Sequence, residues 1–386
     1  MPITDPPRVV LAGTAGHARR HLRRLRELHD RRRVVLAGVC DIRDPDDEAL
    51  ALLPRGASVH GHVDELLAAC APAVAVVATP PHTHLDLARR VLCHGSDLLL
   101  EMPPVPDLGG FEELVALAER TGRACQVGFQ SFGSPGFAVL RAAIDAGELG
   151  EVVGVGAVGA WTRTDSYYRR NAWAGRRWLD GQPVVDGVLT NPFSHAVASA
   201  LAVVGAADRM PEEVTVELHR ARDIEADDTS CVRIRCAGKP EVVVAGSLCA
   251  ELDHEPYLVV HGTRGRAVLR YKTDLVQIND RLLRVPPPTD LLENLLDHRS
   301  DPHGVPLLSP LRNARGFTGV LQAVREAPDP VPIPAGWTRT EGCGASARRV
   351  IRGIDVEVAA AAERLALFSE LGVPWAVSGA ARCVRS

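Results

Sequence analysis

Lysine is nearly missing from this chain: Lys239 and Lys272 are the only two among 44 basic residues. Chemistry that needs a lysine therefore has few candidates. No apolar run nears the roughly 20 residues of a membrane helix; the longest, Ala73 to Ala78, has about six. A net charge of −4 is too mild to point to nucleic acid or an anionic membrane as partner. No CxxC occurs among the nine cysteines, which argues against a zinc site or a disulfide frame and for reduced, buried thiols. The opening MPITDPPRVV lacks a basic stretch followed by an apolar one, so no secretory signal is expected and a cytoplasmic location is.

What is present is an ordinary globular composition, 46% hydrophobic and 24% charged over 386 residues, enough for two domains. The first ~125 residues alternate short apolar strands (9–13, 34–41, 74–80, 97–101, 124–129) with helical patterns, as a covered parallel sheet does. After about residue 150 the pattern changes. Strands are predicted at 151–161, 213–221, 229–236, 241–249, 256–271 and 274–278, most alternating polar with apolar residues as in a half-covered antiparallel sheet. Helices are predicted at 84–95, 108–121, 134–147, 192–205, 289–297 and 311–327, with one more in the tail from about 345 to 370. An α/β domain is followed by an α+β domain.

The first strand runs into Gly13-Thr14-Ala15-Gly16-His17-Ala18, a G-x-A-G-x-A version of the dinucleotide loop G-x-G-x-x-G. Gly13 permits the tight turn, and the loop amides with the helix N-terminus suit a pyrophosphate. Ala15 replaces the glycine of closest approach, and Gly16 stands beside it. Asp41 ends the second strand, where a carboxylate would accept from the adenosine ribose and favour NAD. Arg43, two residues on, keeps NADP open.

With these pieces in order, the chain resembles the glucose–fructose oxidoreductase / inositol dehydrogenase family, Gfo/Idh/MocA. The likeness is carried by the loop, Asp41, Thr79-Pro80-Pro81-His82-Thr83-His84, Glu101-Met102-Pro103, Val127-Gly128-Phe129 and the segment ending at His195. It implies an N-terminal Rossmann NAD(P)-binding domain (1–128), then an α+β substrate and oligomerisation domain (129–386) with a large, mostly antiparallel open sheet. The nicotinamide would lie in the cleft between them. Thr79, Pro80 and His84 would line the cofactor cleft, Glu101 would approach the nicotinamide ribose, and Asn191 and His195 would be the catalytic pair. The open sheet would support a homodimer or homotetramer.

Two departures from the family pattern matter. Its usual Glu-Lys-Pro reads Glu101-Met102-Pro103 here, and a thioether neither carries charge nor donates a proton to the reacting oxygen. Such a loss could cost on the order of 10²–10⁴ in rate. Asn191 stands where many members have aspartate, leaving His195 to carry the proton alone.

Ahead of His195 lie Trp161, then Tyr167-Tyr168-Arg169-Arg170-Asn171-Ala172-Trp173, then Asp186-Gly187. The aromatic faces of Tyr168 and Trp173 for a sugar ring, with Arg169, Arg170 and Asp186 for its hydroxyls, suit a carbohydrate-like small molecule. A packed surface loop with paired arginines is the plainer alternative. No metal site is expected at His60/His62 or His82/His84, Asp227-Asp228 reads as a turn, and Asp290 to Asp297 as a solvated helix. Three readings stay open: an NAD(P)-dependent dehydrogenase or reductase, a redox-neutral lyase, epimerase or glycosidase using the same cofactor, and a nucleotide- or sugar-binding protein that has lost catalysis.

Overall fold

Short apolar segments joined by amphipathic helices build the first of two units in the computed structural model, which describes residues 5–383. Its elements in chain order are β1 (Arg8–Ala12), α1 (Ala18–Asp30), β2 (Val35–Cys40), α2 (Asp47–Leu52), β3 (Ser58–His60), α3 (Val63–Cys70), β4 (Val74–Val77), α4 (His84–His94), β5 (Asp97–Leu100), α5 (Leu108–Thr121) and β6 (Cys125–Val127). The six strands pair in parallel in the order β3-β2-β1-β4-β5-β6. That order reverses direction beside β1, and ligands of such sheets bind at the strand C-termini there. Leu22, Leu25 and Leu28 of α1 are fully buried with Val9, Leu11 and Leu36, each leucine contributing about 1.5–3 kcal/mol.

The chain returns to this unit late. Leu291–Leu311 clusters with it rather than with its sequence neighbours, a return that a single boundary after 128 leaves out. There α9 (Leu291–Ser300) buries Leu291, Leu292, Leu295 and Leu296 in the α1 core. The expected solvated helix is solvated on one side only: Glu293 pairs with Arg24 at 2.9 Å and Asp297 with Arg33 at 2.6 Å.

The second unit opens with α6 (Gly136–Asp145), β7 (Val152–Thr162), α7 (Asp165–Tyr168), the short pair β8 (Trp178–Leu179) and β9 (Gln182–Pro183), and α8 (Ser194–Val203). Then come β10 (Glu213–Arg220), β11 (Thr229–Arg235), β12 (Glu241–Ser247), β13 (Cys249–Gly262), β14 (Arg266–Arg270), β15 (Leu275–Ile278) and β16 (Arg281–Arg284). The tail adds α10 (Arg315–Glu326), β17 (Val331–Pro332), β18 (Thr338–Glu341), β19 (Arg348–Ile351), α11 (Ile354–Arg364) and β20 (Ala380–Cys383). A ten-stranded sheet runs β16-β15-β14-β13-β7-β12-β11-β10-β17, with β20 also on β10. It is mostly antiparallel; β7 with β12 and β10 with β17 are the parallel pairs. The predicted strand 256–271 is two strands, because the chain reverses at 263–265 and Gly262 N–H closes on the Gly265 carbonyl at 2.9 Å.

The sheet face expected to stand open is covered by the chain itself. Val158, Ala160, Val243, Ala245 and Val259 pack against Ile354, Val358, Ala361, Ala362, Phe368 and Trp375. A side chain at Gly156 would sit 2.2 Å from the Ala362 carbonyl oxygen, so glycine lets α11 rest on the backbone of β7. Phe193, at the start of α8, occupies the opposite face beside Gly159 and Gly246. The thiols also differ from expectation in part: Cys93 and Cys343 are exposed, whereas Cys40, Cys70, Cys125, Cys231, Cys236 and Cys249 are buried.

Candidate functional site

In the first unit the loop after β1 is built around Gly13, at φ +99°, where a Cβ would lie 2.6 Å from the Ala78 carbonyl oxygen. Thr14 is buried and donates its N–H and its hydroxyl to Asp41 Oδ2, at 2.8 and 2.9 Å. Asp41 thereby braces the loop, while Arg43 is exposed and gives only its backbone N–H to Asp41 Oδ1. Ala15, Gly16 and His17 form the exposed crest. Their N–H groups have no acceptor among the described residues, and a Cβ at Gly16 would meet nothing within 4 Å. Three successive free amides before a helix suit an anion, so the residues present fit a dinucleotide pyrophosphate. Arg19 fixes the crest from below, donating to the Thr14 carbonyl and pairing with Asp46 and Glu48.

Glu101 lies nearby, 7% exposed. Its Oε1 faces His21 Nε2 at 2.6 Å and His17 Nε2 at 3.4 Å. Burial pushes the carboxyl up, but hydrogen bonds from the two imidazoles hold it well below the usual range. The same carboxylate holds the His17 imidazole above its usual value. These three ligand-bearing groups, all within 4.8 Å, form a cluster among the described residues that could hold a cation; the sequence signalled His17 and Glu101 but not Arg19 or His21. Met102 N–H donates to Glu101 Oε2 at 3.2 Å, and the Met102–Pro103 peptide is cis.

Thr79 and Pro80 are half-buried, with the Thr79 and Thr83 hydroxyls 2.7 Å apart. His84 is fully buried beneath them, Nε2 at 2.8 Å from the Thr79 carbonyl and Nδ1 at 2.8 Å from that of Pro103. Burial holds the ring below its usual pKa, against the pull of the two carbonyls it faces. His84 thus acts through the backbone it clamps.

In the second unit the groups converge on Asp186, whose side chain is 2% exposed. Asn191 Nδ2 donates to Oδ1; Arg170 Nη2 and Gly175 N–H donate to Oδ2 at 3.0 and 2.7 Å. Burial raises the Asp186 carboxyl, and Arg170 and Asn191 oppose that rise. The Arg170 guanidinium also lies 3.7 Å from the Tyr167 ring centroid and 4.9 Å from that of Trp173. Arg169 turns away, 65% exposed beside Asp165. Tyr168 turns away as well, under Arg222 and along a 600 Å³ cavity with Asn171, Arg176 and Arg220. Tyr167, not Tyr168, belongs to the Asp186 group.

His195 stands in the first turn of α8, half-buried, edge-on to Phe129 with centroids 5.8 Å apart. Asp227 and Asp228, read from the sequence as a turn, are both buried just ahead of β11. Asp227 accepts from Val188 N–H at 3.0 Å and the Ser230 hydroxyl at 2.7 Å, holding the segment between Asp186 and Asn191 from behind. No residue spacing announced that support.

Fold and loop together define an NAD-binding Rossmann protein with a second, sheet-based domain. The chain belongs to the GFO/IDH/MocA family: residues 7–129 match its oxidoreductase model with the NAD-binding Rossmann fold, and residues 137–268 its C-terminal domain model. The uncharacterized oxidoreductase YhhX of Escherichia coli (strain K12) is 26% identical over 224 residues, 56% of this chain and 60% of its own. The myo-inositol dehydrogenase Hyg17 of Streptomyces leeuwenhoekii is 41% identical over 106 residues, 27% of this chain and 32% of its own. The chain spans less than two thirds of the length of each relative. The WlbA dehydrogenase of Bordetella pertussis, solved with NADH and UDP-GlcNAcA, shares the fold at TM-score 0.68 and 21% identity, over 85% of this chain and 99% of its own.

Proposed function

We propose that the protein is an NAD-dependent dehydrogenase or reductase acting on a secondary alcohol or ketone of a sugar, cyclitol or sugar derivative. The observation that carries this reading is the platform of Tyr167, Arg170 and Trp173 around Asp186, which also orients Asn191. Flat aromatic faces with fixed donors and acceptors are what a polyol ring requires. Relatives and structural neighbours acting on inositol or binding a nucleotide-linked sugar point the same way.

The amides of 15–17 and the α1 N-terminus would hold the pyrophosphate, with Asp41 at the ribose end. Bound NAD supplies a hydride acceptor, and its reduced form a donor. The chain's own residues do the rest. His195 takes the hydroxyl proton at an imidazole nitrogen as the alcohol is oxidised, and returns it in the reverse direction. Asn191, held by Asp186, positions the hydroxyl without acting as base. Arg43, exposed and uncommitted, leaves room for NADP beside NAD.

Native mass spectrometry, then titration with NAD⁺, NADH, NADP⁺ and NADPH, tests the cofactor half. Micromolar binding of one pair is expected; binding of none removes the oxidoreductase reading. Met102 favours a second reading, a family member that binds ligands but has lost turnover, because no ammonium stands at that position. We place the protein in the cytoplasm. Self-association as a homodimer or homotetramer would have to use a surface other than the sheet face under α11, and light scattering at micromolar concentration decides it.

A further inference from the structure

We propose that the second unit carries a site for an anionic group of its ligand, formed by Arg163 and Lys272 around the indole of Trp161. This rests on the carbohydrate reading above and narrows it to sugars bearing a carboxylate or a phosphate.

Trp161 is fixed before any ligand arrives. Its Nε1 donates to the His254 carbonyl at 3.1 Å, and its ring packs on Phe193 with centroids 4.4 Å apart. Phe193 begins the turn that presents His195. The Arg163 guanidinium carbon and Lys272 Nζ each lie 4.6 Å from the Trp161 ring centroid. Arg163 also lies 5.2 Å from the Tyr167 ring. The two charges are therefore held within about one Debye length of each other, roughly 10 Å at 0.1 M salt, where they repel.

Neither cation has a carboxylate partner among the described residues. On the neighbouring strand Asp253 accepts both the N–H and the hydroxyl of Thr162, Glu251 pairs with Arg339 at 3.2 Å, and Glu255 reaches Arg270 only at 4.0 Å, with its Oε1 buried and without a hydrogen bond. Asp355, which packs against the same strand, takes His254 at 2.9 Å. Arg170, the remaining cation of the platform, is neutralised by Asp186. Packing alone accounts for one cation on an aromatic face. It does not account for two like charges on one indole, both without a carboxylate partner among the described residues. The guanidinium offers a planar fork and the ammonium a mobile point charge. Together they suit the oxygens of a carboxylate or phosphate carried by a sugar.

The test is isothermal titration calorimetry of the full chain with glucose, glucuronate and glucose-6-phosphate, alongside dinucleotide reduction with each sugar. At least one charged sugar is expected to bind tenfold or more tightly than glucose, with the preference shrinking as salt rises. Glucuronate against glucose-6-phosphate separates carboxylate from phosphate. Arg163→Gln and Lys272→Gln should each weaken charged-sugar binding roughly 10- to 100-fold and lower its ratio to glucose binding. Lys272→Arg should retain the ratio, separating lost charge from lost fold. Equal binding of charged and neutral sugars, or none of the charged ones, overturns the site. Charged-sugar preference without dinucleotide reduction keeps the site and removes the dehydrogenase reading; reduction with glucose alone does the reverse.

Discussion

Arg170 donates to the buried carboxylate of Asp186 across 3.0 Å, and that contact organises the substrate-side residues. The guanidinium lies over the Tyr167 and Trp173 rings, while the other carboxylate oxygen takes Asn191. Asp186→Ala would strand Arg170, the Asn191 amide and Gly175 N–H at once. We expect a loss of about 2–4 kcal/mol by urea denaturation, somewhat under the roughly 3–5 kcal/mol of a fully buried pair because the arginine keeps 25% exposure. Asp186→Asn, which keeps an acceptor, should lose less. Equal stability of Asp186→Ala and the parent would remove Asp186 from this role.

Gly13 and Gly16 should separate stability from binding. Gly13→Ala places a Cβ 2.6 Å from the Ala78 oxygen at φ +99°, and about 1–3 kcal/mol of stability should be lost with dinucleotide binding. Gly16→Ala meets open space at φ +58° and costs about 1–2 kcal/mol at most. Its methyl stands on the crest that would receive the phosphates, so affinity should fall beyond the stability loss. Paired thermal melts and NAD⁺ titrations check both.

The His17–Glu101 pair gives stability a pH window. His17 has its pKa raised by Glu101; its contribution is complete below the usual value of about 6.5 and fades as pH rises through the higher folded value. Glu101 is held well below its usual range; its contribution is present above about 4.3 and is lost as pH falls through the folded value. The pair therefore supports the fold best from mildly acid to near-neutral pH. His17→Gln should flatten the alkaline side of the stability profile, read as melting temperature from pH 5 to 9. An unchanged slope would count against the coupling.

Met102→Lys restores an ammonium at the position the family resemblance assigns to the reacting oxygen. If the site is otherwise intact, turnover should rise on the order of 10²–10⁴, measured as dinucleotide reduction on a sugar the parent binds. No gain on any bound sugar would support the binding-protein reading instead.

The first unit was the more legible half. Gly13, Asp41 and the strand-helix alternation are read from local spacing, and five of the six strands described there fall within a residue or a few of expectation, while the three-residue edge strand β3, with only partly buried side chains, was missed. What escaped notice there depends on distant partners: Arg19 and His21 look like ordinary basic residues on a helix until Asp46 and Glu101 meet them. The late return of α9 escaped for the same reason, since its leucines are equally at home in either unit. In the second unit composition identified the aromatic-arginine segment but not its direction. One turn of α7 decides that Tyr167 and Arg170 face Asp186 while Tyr168 and Arg169 do not. Lys272 had no signal at all, because its partner is an indole more than a hundred residues earlier.

An apolar sheet face that the chain covers with its own helix has a kinetic and thermodynamic signature. A face sealed by a second copy ties folding to concentration, so its melting point climbs as protein is added. With α11 on β7, β12 and β13, sealing is intramolecular and mass action drops out. Closing this face therefore adds no concentration dependence of its own, and a melting temperature that climbs with protein concentration would report association through some other surface.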